Sequence, residues 1–230
     1  MADASLPQTS LNAWPTVSPE LPRHTLVWLR AGAPWVALSG ASERRVRAWL
    51  CARLPAVVAR RQGDEPENFL RLGVALPASE GKQRLCFSAP FSLIETHRGP
   101  LSLPEVSESC PGNWKDALRH LIAVTRAIAL EPCVYGSFAW QALTGERYVS
   151  PNSDIDLLWR PRDAAQVDAL IATMVRWEQV TCRRADGEVL LANGDAVCWR
   201  ELASGSSRIL VKSDASVALR ARLDFLAAFA

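Results

Sequence analysis

Two short stretches constrain this chain most. Val134-Tyr135-Gly136-Ser137 is an apolar run that ends in a glycine and a hydroxyl. Ser153-Asp154-Ile155-Asp156-Leu157-Leu158-Trp159 places two carboxylates two residues apart inside another apolar run. Successive residues of a strand point to opposite faces, so Asp154 and Asp156 share one face and Ile155 and Leu157 take the other. Carboxylates that close repel each other, and a fold keeps them most easily with a cation between them. An all-oxygen site suits Mg²⁺, which takes one or two protein carboxylates and fills its remaining positions with phosphate and water. Gly136-Ser137 supplies a tight turn, a hydroxyl and free backbone N–H groups at a helix start, where an anion is welcome. The expected site is a phosphate cradle beside a metal-binding acid pair.

With 230 residues the chain can bury a real core, as one large domain or two small ones. A net charge of +2 gives no polyanion-binding field, so no nucleic-acid partner is expected. No apolar run is long enough to span a bilayer, and Met1-Ala2-Asp3-Ala4 does not read as a secretory signal, so a cytoplasmic protein without membrane contact is expected. The six cysteines are scattered, with no CxxC and no Cys/His cluster, which argues for reduced, mostly packed thiols rather than zinc. Three histidines, His24, His97 and His120, give no sign of an imidazole-centred mechanism.

Residues 1–22 carry four prolines and little periodicity, and read as a loose arm. Thr25 to Leu29 reads as a strand, Ser42 to Leu54 as a helix burying Val46, Trp49 and Leu50, and Ala56 to Ala59 as a strand running into Arg60-Arg61. Leu70 to Leu76 and Gln83 to Ser88 are strands joined by a turn at residues 77–82, and Ser92 to Glu95 is a shorter one. The stretch from Gly99-Pro100 to Pro111-Gly112 is the domain junction, giving an α/β domain over 23–105 and a second domain over 106–230. Asn113 caps a helix to about Leu130, and Cys133 to Tyr135 is a strand. Phe138 to Leu143 is a short helix closed by Gly145. Asp154 begins the next strand, and Asp163 with Gln166 reads as a capping box for a helix to about Trp177. Asn193-Gly194 marks a two-residue hairpin between Glu188–Ala192 and Asp195–Trp199. Ile209 to Lys212 is one more strand, and Asp214 caps a final helix through Phe229. The fold class is α+β.

Strand, Gly-Ser, one short helix, then a strand beginning Asp-x-Asp resembles the nucleotidyltransferase superfamily. The longer string Tyr135-Gly136-Ser137-Phe138-Ala139-Trp140-Gln141, with Leu143-Thr144-Gly145, Tyr148-Val149 and residues 153–159, resembles the malonate decarboxylase holo-acyl carrier protein synthases, which are phosphoribosyl-dephospho-CoA transferases. His24 to Trp28, Val57 to Arg61, Gly81 to Arg84, Ala196 to Glu201 and Val211-Lys212 are similar too, so the likeness covers nearly the whole chain beyond the arm.

The resemblance implies a C-terminal nucleotidyltransferase-like mixed sheet flanked by helices. It also implies transfer of a prosthetic group from 2′-(5″-triphosphoribosyl)-3′-dephospho-CoA to a serine of the apo acyl carrier protein of malonate decarboxylase, releasing diphosphate. Such chemistry needs charge neutralisation and alignment. Asp154 and Asp156 would then bind two Mg²⁺ ions, and Gly136 and Ser137 the departing diphosphate. The superfamily's third carboxylate, ligand or base, would be Glu188 or Glu201; side-chain parity leaves both open, and Glu188 is preferred as lying in the first strand after the helix. Arg60, Arg61, Lys82, Arg84 and Lys212, at strand ends or turns, are candidates for binding phosphates, with solvated surface charge the plain alternative. Arg44-Arg45 and Arg183-Arg184 read as surface charge that could instead meet an acidic carrier protein, and Trp140 and Trp159 as core rather than adenine platforms. The rival functions are another nucleotidyltransferase, moving AMP from ATP, and a non-catalytic binding module on the same fold; degenerate members lose the Asp pair or the Gly-Ser, and both are kept here.

Overall fold

The computed structural model describes residues 21–38, 42–62, 66–213 and 216–229. Residues 1–20 of the arm and the Asp214 cap lie outside the described residues; the arm's last two residues are held, with Leu21 buried in the first core and the Pro22 carbonyl accepting from Thr25.

The first half carries β1 (Leu26–Leu29), β2 (Val36–Ala37), α1 (Glu43–Cys51), β3 (Ala56–Val58), β4 (Phe69–Ala75), β5 (Arg84–Pro90) and β6 (Ile94–Arg98). The strands form one sheet in the order β2-β5-β4-β3-β1-β6, antiparallel throughout. Strand β4 alternates half-buried and buried side chains, the period expected of a sheet with one face on a core. Ser42 caps α1 by accepting from the Arg45 amide, and Val46 and Trp49 are its buried residues.

The second half begins with β7 (Leu101–Ser102) and α2 (Leu103–Ser109), inside the stretch read as a linker. Prolines disguised this helix, yet Pro104 sits in its first turn, where no amide is needed, and Ser102 with Glu105 forms a capping box. Then follow α3 (Lys115–Ala127), β8 (Cys133–Tyr135), α4 (Gly136–Thr144), β9 (Ile155–Trp159) and α5 (Ala164–Thr181). A short 3₁₀ turn over Gly112–Trp114 precedes α3, so Asn113 is not its cap. The Asp163 side chain does cap α5, accepting from the Gln166 amide, while Gln166 accepts from Arg162 rather than closing a capping box.

The chain ends with β10 (Ala185–Leu190), β11 (Ala196–Cys198), α6 (Trp199–Ala203), β12 (Arg208–Lys212), β13 (Val217–Ala221) and α7 (Arg222–Ala227). The expected final helix is thus a strand and a short helix: pairing of β13 along all of β12 outweighs the helix propensity of its Ala and Leu residues. The hairpin register is also one residue off expectation. The Leu191 amide bonds the Asp195 carbonyl, leaving a three-residue loop, so Glu188 faces Cys198 and not Trp199.

These strands form a mixed sheet, β13-β12-β11-β10-β9-β8-β7, in which only β9 and β10 run parallel. Residues from all six of its helices share one core with Ile155, Leu157 and Trp159. The two halves interlock: Leu26 of β1 belongs to this second core, whereas Trp140 and Tyr148 belong to the first. The Tyr148 hydroxyl donates to the Ala75 carbonyl at 2.8 Å, and the Trp49 and Trp140 rings meet edge to face at 5.6 Å. Among the described residues no helix is long and apolar enough to cross a membrane. All six cysteines are free and only Cys110 is buried, so the thiols are less packed than expected.

Candidate active site

Chain geometry at the β8–α4 turn brings the two motifs together. Tyr135 and Asp156 are partners in the antiparallel pairing of β8 and β9. Gly136, first residue of α4, therefore passes directly over the Asp156 side chain. Its φ is +66°, and a Cβ there would lie 1.9 Å from Asp156 Oδ2. Only glycine meets both demands. The Ser137 backbone N–H points to the Asp156 carboxylate and stabilises its charge.

Asp156 has a second acidic neighbour, which sequence reading missed. In the parallel pairing of β9 and β10, Asp186 is the register partner of Asp156. Gly187 lets the strands approach so closely, since a Cβ on it would sit 2.1 Å from the Leu157 carbonyl oxygen. Asp186 accepts from the Gly187 amide at 2.8 Å, and the Cys198 thiol lies 3.6 Å away. Burial pushes the Asp156 carboxyl up to about 7, and the charges of Asp154 and Asp186 push in the same direction, opposed by Arg84 and the Ser137 amide. Burial likewise raises the Tyr135 phenol, and the charges of Asp156, Glu188 and Asp186 raise it further.

Glu188 is two residues along from Asp186 on the same strand face, but its surroundings differ. The carboxylate accepts from Lys212 Nζ at 2.8 Å and Arg23 at 3.2 Å, and His24 Nε2 lies 3.8 Å from it. Burial alone would raise its pKa; the contacts with His24, Lys212 and Arg23 outweigh burial and hold it well below the usual carboxylate range. Its charge is thus balanced by the chain, whereas that of the aspartates is not. Glu201 lies on α6, where it accepts from the Leu210 amide at 2.6 Å.

A cleft of about 450 Å³ opens between the two sheets beside Gly136, Ser137 and Asp156. From the first domain it receives Arg60, Lys82 and Arg84, together with Arg23 and His24. The structure does not bring Arg61 or Lys212 to its lining. Arg61 donates to the carbonyls of Pro66 and Glu67, and Lys212 pairs with Glu188. Trp140 borders the cleft from a buried position, and Trp159 is fully buried core. Arg45 is tied to Glu80, and Arg183 to the Asn113 and Pro151 carbonyls.

The donor set of Asp154 and Asp156 is hard and all-oxygen, which fits Mg²⁺. Among the described residues no three His, Cys, Asp or Glu side chains are gathered into a ready-made cage.

Comparison with known proteins covers nearly the whole described chain. Residues 101–222 match the family model of the phosphoribosyl-dephospho-CoA transferase MdcG C-terminal domain, and residues 22–100 that of its N-terminal domain. A phosphoribosyl-dephospho-CoA transferase of Xanthomonas campestris pv. campestris is 49% identical over 190 residues, 83% of this chain and 89% of the relative. Proteins of the same name from Bradyrhizobium diazoefficiens and Pseudomonas aeruginosa are 34% and 33% identical, over 89% and 72% of this chain and 92% and 79% of their own lengths. No solved structure matches.

Proposed function

The chain belongs to the phosphoribosyl-dephospho-CoA transferase family and is a transferase, and we propose that it carries the phosphoribosyl-dephospho-CoA group from 2′-(5″-triphosphoribosyl)-3′-dephospho-CoA to a serine of the apo acyl carrier protein of malonate decarboxylase. The serine oxygen bonds to the innermost phosphorus of the triphosphate, the bond from that phosphorus to the bridging oxygen breaks, and diphosphate leaves with the electron pair. The product is a phosphodiester.

The observation that carries this reading is that one cleft is lined by Asp156, by the Gly136-Ser137 helix start and by Arg60, Lys82 and Arg84, with Asp154 and Asp186 as the acidic neighbours of Asp156. The α4 amides and the Ser137 hydroxyl cradle the departing diphosphate. Arg60, Lys82 and Arg84 neutralise the remaining phosphate charge and hold the triphosphate in line. Asp154 and Asp156 would hold Mg²⁺, with two ions expected, and the metal when bound would supply charge neutralisation at the attacked phosphorus and alignment of the displacement. Asp186 adds a third negative charge that strengthens cation binding, the part first given to Glu188.

The test is intact-mass analysis of apo carrier protein incubated with the chain, Mg²⁺ and either the triphosphoribosyl compound or ATP. The proposal expects a phosphoribosyl-dephospho-CoA adduct with the former alone. Labelling by ATP alone would point to adenylyl transfer, and no Mg²⁺-dependent labelling or thermal stabilisation by either would point to a binding module.

A further inference from the structure

The transfer leaves one proton to place, that of the serine hydroxyl. No motif of the sequence points to an imidazole, but the cleft contains one. His24 has φ +68°, a left-handed conformation uncommon for a residue with a Cβ. The His24 amide donates to the Val58 carbonyl at 3.0 Å, and the Thr25 amide and hydroxyl both donate to the Pro22 carbonyl, at 3.2 and 2.7 Å.

The turn delivers the imidazole onto the active-site sheet. Its ring centroid lies 4.4 Å from that of Tyr135, the residue before Gly136 and the register partner of Asp156. Nε2 is buried, has no hydrogen-bond partner among the described residues and lies 3.8 Å from Glu188. His24 nonetheless lines the cleft, together with Tyr135, Gly136 and Ser137. A carboxylate behind one nitrogen of a histidine fixes the proton there and leaves the opposite nitrogen as an acceptor. Such contacts are often long before substrate binds.

We infer that His24 is a catalytic residue: its Nδ1 takes the serine proton, with Glu188 as the positioning residue that holds Nε2–H. The inference rests on the transfer reaction proposed above. As the Oγ–P bond forms and the bond to the diphosphate breaks, the hydroxyl proton moves to Nδ1, and the imidazolium so formed faces the Glu188 carboxylate across Nε2.

Replacement by glycine tests this cleanly, because φ +68° suits glycine and His24→Gly removes the ring while relieving the backbone. With Mg²⁺ and saturating apo carrier protein, kcat is expected to fall roughly 10²- to 10⁴-fold, while KM for the triphosphoribosyl compound stays within about threefold. Free imidazole is expected to restore part of the lost kcat. His24→Gln keeps a hydrogen-bonding group but no proton acceptor, and is expected to lose kcat to the same extent. Glu188→Asp, which draws the carboxylate back, lowers kcat without raising that KM. The inference is overturned if His24→Gly or His24→Gln keeps its kcat, if the loss is in KM instead, or if imidazole restores nothing. Absence of transfer by the unaltered chain would instead overturn the reaction itself.

Discussion

Asp186 is the register partner of Asp156 in the only parallel strand pair of the second sheet. Two carboxylates therefore emerge side by side, with Asp154 at the entry to the same strand. Bringing them together is unfavourable for the protein alone and favourable once a cation joins them. The proposed cation would offset that cost.

The first prediction follows from the sign of that cost. The Asp156 carboxyl sits near 7 in the folded protein against 3.8 ordinarily. Between those values the folded state keeps a proton that the unfolded chain has released, so metal-free stability falls as pH rises from 4 to 7 and stays low above it. About three pKa units set an upper bound of about 4 kcal/mol, less after relaxation of a half-buried group. In EDTA, Asp156→Asn is expected to raise Tm by several degrees at pH 8 and to leave it unchanged near pH 4, while abolishing transfer. Differential scanning calorimetry at the two pH values checks it; equal gains at both would show that ionisation of the buried Asp156 is not the cause.

Gly136→Ala should do two kinds of damage. The new Cβ would lie 1.9 Å from Asp156 Oδ2 and 2.7 Å from its Cγ, on a backbone with φ +66°. Strain of this kind costs about 1–3 kcal/mol, and the acid pair must shift to relieve the clash. A displacement of about 1 Å at a reacting centre is worth about 100-fold in rate. Urea unfolding and kcat, measured on the same preparation, should therefore both fall. A variant that loses stability alone would mean that Asp156 does not need its present position.

How much of this was legible depended on how local each signal was. The β4–β5 turn, the Gly145 stop of α4 and the Asp163 cap of α5 are each written within a few residues, and each stands in the structure as read. Asp186 was not seen because Asp-Gly is poor strand material and reads as a turn, so the strand was begun at Glu188. Extending the alternation backwards, from Glu188 to Asp186, was the one available signal. The partners of Glu188 were beyond any such signal: Arg23 is 165 residues away and Lys212 is 24. Packing of one domain on the other brings Arg23 and His24 to Glu188, while strand order within the second sheet brings Lys212 to Glu188 and Asp186 to Asp156.

Arg84 and Arg61, alike in sequence, should part company in function. Arg84 lines the cleft and its charge reaches Asp156, whereas Arg61 is occupied with backbone carbonyls. A hydrogen bond to a charged group is worth about 1.5–3 kcal/mol, so Arg84→Ala should raise KM for the triphosphate about tenfold or more. Arg61→Ala should leave KM within about twofold and lower stability instead. Steady-state kinetics on the two variants distinguishes them; a shared rise in KM would place both guanidiniums on the substrate.

Glu188 joins the halves of the molecule, since Arg23 precedes the first strand of one sheet and Lys212 ends a strand of the other. Only 8% of its side chain is exposed. Removing one member of such a buried group leaves the other charges uncompensated, at a cost of about 3–5 kcal/mol. Glu188→Gln is therefore expected to lower urea stability at pH 7 by about that amount, and Glu188→Gln with Lys212→Met to recover part of it. The pH dependence has the opposite sign to that of Asp156. A carboxyl whose folded pKa is depressed stabilises above its unfolded value of about 4.5 and loses that contribution as pH falls. The gap between Glu188→Gln and the unaltered chain should accordingly close between pH 5 and the acid limit of folding, whereas a purely steric effect of the substitution would persist across the range.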